Sequence, residues 1–81
     1  MMKAFHLTVA QIGKNLFDGE AVTATFPGKE GVFEVLTEHE AFVSELASGA
    51  IHLTTPDGAK QQFETTGGVV EVAHNQVTAL L

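Results

Sequence analysis

PGKEGVFEVLTEHEAF, residues 27–42, brings three kinds of sequence together in sixteen residues. Gly28 and Gly31 bracket Lys29 and Glu30, a pattern that predicts a tight turn because glycine reaches backbone conformations closed to other residues. An apolar, strand-like run follows, Val32-Phe33-Glu34-Val35-Leu36. The chain then meets Glu38-His39-Glu40 and becomes apolar again at Ala41-Phe42-Val43. A firm turn, and a strand that finishes on a histidine between carboxylates, would suit an active site, a metal site or a docking surface.

Outward from this stretch the dominant period is two. Phe5, Leu7 and Val9 alternate with His6 and Thr8, and Val22, Ala24 and Phe26 with Thr23 and Thr25. Ile51 and Leu53, Val70 and Val72, and Val77, Ala79 and Leu81 repeat the pattern. Such alternation marks strands with one face on a core and one in water. Turn signals stand between the runs at Asp18-Gly19, Pro27-Gly28, Ser48-Gly49, Pro56-Asp57-Gly58 and His74-Asn75. The expectation is an all-β fold: short antiparallel strands in a two-sheet β-sandwich, one domain over residues 1–81. Residues 38–47 are ambiguous, since Phe42 and Leu46 are four apart and fit a short helix; a loop with a bent strand is the preferred reading.

Composition narrows the function. Ten acids against four lysines give a net charge of −6, and there is no arginine. Nucleic-acid binders need a basic face, so DNA and RNA are excluded as partners. Five of the ten acids, Glu30, Glu34, Glu38, Glu40 and Glu45, fall within residues 30–45. They suit either a solubilising edge or a face that meets a basic partner. Without cysteine there is no disulfide, and no apolar run approaches the ~20 residues of a spanning helix. A soluble chain with no direct membrane insertion is expected.

Catalysis finds little support. Ser44 and Ser48 lack a nucleophile-elbow setting, and Gly28-Lys29-Glu30-Gly31 is too short for a phosphate loop. His6, His39, His52 and His74 form no H-x-H or H-x-x-x-H pair, so no metal site and no cofactor are expected. Surfaces remain: His39, Phe42 and Val43 either plug the open end of the sandwich or form a ring-bearing hot spot beside a polar rim.

The order FHLTV, LFDGE, PGKEG, VLTEH, SGAIHL and TGGVVEVAHNQVTALL resembles the N-terminal sandwich of the F-type ATP synthase epsilon subunit, whose mitochondrial counterpart is called delta. The resemblance runs from Phe5 to Leu80. It implies a noncatalytic rotor subunit of the central stalk that joins the gamma subunit to the c-ring, with the alpha and beta catalytic subunits as indirect partners. It thereby couples proton or sodium translocation to ATP synthesis. Pro27, Gly28, Lys29, Glu30, Gly31 and Val32 match the family loop that faces the c-ring. Gln11, His39, Ala41, Phe42 and Ser44 match positions that face gamma. The implied location is peripheral, on the cytoplasmic side of a bacterial inner membrane or the stromal side of a thylakoid membrane. Two departures stand out. Thr37-Glu38 replaces a Pro-Gly common in the family, and no helical periodicity follows Gly67, so the family's C-terminal helical hairpin and its inhibition of ATP hydrolysis are not expected here. The alternative reading is a free-standing β-sandwich that binds a small ligand or metal.

Overall fold

The computed structural model describes residues 3–37 and 41–81. Their regular structure is all strand: β1 (Phe5–Gln11), β2 (Lys14–Ala21), β3 (Thr23–Gly28), β4 (Gly31–Val35), β5 (Phe42–Leu46), β6 (Gly49–Thr54), β7 (Lys60–Thr65), β8 (Gly68–Ala73) and β9 (Gln76–Leu80). The hydrogen-bonded order is β2-β1-β9-β8-β5-β3-β6-β7, with β4 on the other edge of β3. One curled sheet thus folds over itself into the two layers of a sandwich. β1, β2, β5, β8 and β9 make one layer, and β3, β4, β6 and β7 the other.

The joint between the layers is narrow. β3 pairs with β6 at Thr23–Thr25 and with β5 only at Gly28↔Leu46. Around that pair the Ala47 N–H donates to the Pro27 carbonyl (2.7 Å) and the Lys29 N–H to the Glu45 carbonyl (3.0 Å). Pro27 has no N–H to offer a ladder, and proline in a sheet belongs at such interruptions.

The alternation read from the sequence is the alternation of burial. Phe5, Leu7 and Val9 face inward, as do Ala24 and Phe26, Ile51 and Leu53, Val70 and Val72, and Val77 and Ala79. They meet in a single core fed by both layers. Each large side chain so buried contributes about 1.5–3 kcal/mol. β1 and β9 pair in parallel, which ties the first strand to the last.

One expectation needs correction, and one ambiguity is resolved. Asp18-Gly19 is no turn: both lie inside β2, opposite Thr8 and Leu7, and the connection from β1 is Ile12-Gly13 between the Gln11↔Lys14 pair. Asp18 is held in the strand by side chains across the ladder. The His6 Nε2 lies 2.6 Å from its Oδ1, the Thr8 hydroxyl donates to the same oxygen (3.4 Å), and the His6 Nδ1 lies 3.6 Å from the Glu20 carboxylate. Further along, Phe42–Leu46 is a strand paired with β8, not the short helix that its spacing also fitted. A spacing of four serves a strand as well as a helix, and Phe42, Ser44 and Leu46 are its inward phase.

Candidate functional site

Residues 27–32 form the hairpin tip between β3 and β4. Gly28 pairs with Gly31, leaving Lys29 and Glu30 as the two exposed turn residues. Gly31 has a φ of 130°, a backbone that side-chain-bearing residues rarely adopt. At Gly28 the constraint is space: a Cβ there would lie 2.7 Å from the Gly31 carbonyl oxygen and 2.9 Å from the Phe33 ring. Val32 follows on the free edge, 74% exposed.

The tip is braced, which the sequence did not disclose. Besides the backbone bond to Glu45, the Lys29 Nζ donates to the Glu45 Oε2 at 2.9 Å. That hydrogen bond first, and the opposite charge second, raise the Lys29 ammonium pKa and lower that of the Glu45 carboxyl. Lys29 is therefore engaged with β5, and Glu30 is the charge the tip presents outward.

β5 carries two of the other expected residues, Phe42 and Ser44. Ala41 precedes it and is exposed. Phe42 is half-buried against the core, edge-on to Phe33 (centroids 5.2 Å apart, 74° between planes), and Phe33 stacks on Phe26 (5.5 Å). The residue expected to face a partner is thus also a packing residue. The Ser44 hydroxyl donates to the Glu45 carbonyl (3.2 Å). His39 lies outside the described residues. Just before it, the Thr37 hydroxyl donates to the Asn75 side-chain oxygen (2.9 Å), tethering the end of β4 to the β8–β9 turn.

Gln11 is not brought to this group. Phe42 is level with Leu7 through Val72 and Val77, whereas Leu46 lies beyond the row Glu45–Val69–Leu80–Ala10. Gln11 therefore shares the Leu46 end with the hairpin tip, about 13 Å along the strands from Phe42. It lines a small cavity of about 280 Å³ with Ser48, Thr65 and Leu81.

Reasoning from the sequence did not single out Val69 and Leu80. On the outer face of β5, β8 and β9, Val43 (66% exposed) lies diagonal to Val69, which pairs directly with Leu80, and Glu45 and Glu71 border the patch. The signal was present in the doublets Val69-Val70 and Leu80-Leu81, which break the alternation and put one apolar side chain on each face.

Residues 4–81 match the family model for the beta-sandwich domain of the ATP synthase delta/epsilon chain. The ATP synthase epsilon chain of a Nitratiruptor species is 42% identical over 66 residues, 82% of this chain and 51% of the relative. That of Chlorobium limicola is 32% identical over 78 residues, 96% of this chain and 89% of the relative. The chain thus spans about half the length of the first relative and most of the second. Among solved structures, a chain of the Euglena gracilis mitochondrial ATP synthase, in an OSCP/F1/c-ring assembly, superposes with a TM-score of 0.89 at 25% identity, covering 95% of this chain and 49% of that one. A chain of the Tetrahymena thermophila central stalk and c-ring shares the fold, with a TM-score of 0.75 at 17% identity over 93% of this chain and 60% of its own length. By the match over nearly its full length, the chain belongs to the ATP synthase delta/epsilon beta-sandwich family.

Proposed function

We propose that the chain is a noncatalytic rotor element of an F-type ATP synthase central stalk, docking the gamma subunit to the c-ring and so coupling ion translocation to ATP synthesis. The observation that carries the reading is the brace between its two contact regions. The tip at 27–32 is bonded to β5 through Lys29, Pro27 and Ala47, and β5 holds Phe42, Val43 and Ser44, with Ala41 just before it. A part that transmits torque needs two surfaces held rigidly to one another, and here backbone hydrogen bonds and a shared core join them. Family membership and the likeness to the Euglena chain, solved within an OSCP/F1/c-ring assembly, support the same assignment.

In this reading the tip, with Glu30 foremost, meets polar loops of the c-ring. Gamma takes the start of β5 and the apolar patch of Val43, Val69 and Leu80, whose acidic border suits a partner with basic residues. The chain then sits peripherally at the membrane that carries the synthase, on the cytoplasmic side where that membrane is a bacterial inner one.

Affinity capture of the tagged chain from a mild-detergent extract of its own membranes, read by mass spectrometry, tests the assignment. Recovery of gamma with the c-ring is expected, and Val43→Asp should release both while its circular dichroism stays native. A capture free of synthase subunits, joined to a rise in Tm with zinc, nickel or ATP, would overturn the reading in favour of a free-standing ligand-binding sandwich.

A further inference from the structure

The outer face of β3, β6 and β7 lies in the other layer from β5, β8 and β9. It holds a groove of about 410 Å³. Two ladder rows make its floor: Thr23–Thr54–Lys60 and Thr25–His52–Gln62. Every one of these six side chains carries a hydrogen-bond donor. In a chain with ten acids and four lysines, no carboxylate lines this groove. Among the described residues, Thr23, Thr25, Thr54, His52 and Lys60 have no side-chain hydrogen bond or ion pair to another protein group.

We propose that this groove binds a single phosphate-type oxyanion, with the Lys60 ammonium as the charge and the hydroxyls of Thr23, Thr25 and Thr54 and the His52 ring as its hydrogen-bond cradle. Several donors on two adjacent ladder rows, beside one cation, match an acceptor with three or four oxygens. The borders limit its size. Glu34 stands opposite Thr25 on β4, and Glu64 on β7 accepts from the Gln62 amide (2.9 Å). These two carboxylates repel an extended polyanion such as a nucleic-acid backbone but leave room for one phosphate group. The net charge of −6 opposes any anion at long range, so binding is weak.

The test is a titration of the ¹⁵N-labelled chain with inorganic phosphate, against sodium chloride at matched ionic strength. Saturating shifts confined to the amides of residues 23–25, 52–54 and 60–62 are expected, with a Kd of roughly 1–10 mM. Lys60→Gln should weaken binding by about tenfold or more with the rest of the spectrum unchanged, and Thr25→Val with Thr54→Val should do so without touching the charge. Shifts that fail to saturate, that chloride reproduces, or that survive Lys60→Gln overturn the proposal. Sedimentation with vesicles of phosphatidic acid in phosphatidylcholine, against phosphatidylcholine alone, identifies the source. Lys60-dependent sedimentation names a lipid headgroup, and phosphate binding without sedimentation names free phosphate. Vesicle binding indifferent to Lys60, with no phosphate shifts, refutes both. None of these outcomes depends on the stalk assignment.

Discussion

A Cβ at Gly68 would lie 2.2 Å from the Leu80 carbonyl oxygen, and the residue has a φ of 139°. Both partners are backbone in the paired strands β8 and β9, so neither can step aside as a flexible side chain would. Gly68→Ala is expected to cost more than about 3 kcal/mol, read as the loss of urea midpoint at unchanged m. Phe42 calls for a different scale. Its ring meets Phe33 edge-on but is only half-buried, so Phe42→Ala should cost about 1–3 kcal/mol and leave a folded chain. Under the proposed stalk role, any loss of gamma binding in that variant is compared with Val43→Asp, whose side chain is 66% exposed. The sequence marked Phe42 as a large apolar group at a strand end. That it packs on Phe33, nine residues earlier, depends on β3 pairing with both β4 and β5, which no local pattern encodes.

At the scale of elements, the hairpin tip and β5 act as one piece. The ion pair between them has a pH window whose edges follow from its two shifts. The Glu45 pKa is lowered on folding, so its contribution is present above the unfolded value and lost as pH falls through the folded one. The Lys29 pKa is raised, so its share is present below the unfolded value and lost as pH rises through the folded one. Both groups are exposed, and Tm should scarcely move when the pair is broken. The tip itself should move more: ¹⁵N relaxation at Lys29 and Glu30 is expected to show faster motion in acid, and in Glu45→Gln at neutral pH. Unchanged relaxation would mean that the Lys29 N–H bond to the Glu45 carbonyl is the whole brace. The Lys29–Glu30 turn was legible because its glycines are local requirements. The brace was not, because it joins positions sixteen residues apart.

Across the whole molecule, the parallel pairing of β1 with β9 and the single β3–β5 joint make the fold non-local. Neither can form until distant segments meet, and loop-closure entropy precedes the gain from contact. Folding is therefore expected in milliseconds to seconds, slower than a helical domain of this size, in stopped-flow refolding from urea. A microsecond phase carrying the full amplitude would contradict that topology.

The class of fold and most of the strands were legible along the chain alone, because burial on one face imposes a period of two. So were the turns at Lys29-Glu30, Pro56-Asp57-Gly58 and His74-Asn75, where residue chemistry dictates backbone shape; His74 and Asn75 hold φ values of 50° and 61°. Pairing between distant strands settled what local chemistry left open. Asp18-Gly19 reads as a turn in isolation and is a strand because His6 and Thr8 hold Asp18 across the ladder. Phe42–Leu46 fits two periods and is a strand because β8 offers it a ladder. The placement of Gln11 at the same end of the strands as the tip, the patch of Val43, Val69 and Leu80, and the donor-lined groove of β3, β6 and β7 all arise from register between strands distant in sequence. Register is fixed only when the two inner faces close on one core, since a shift by one residue would turn every apolar side chain to water.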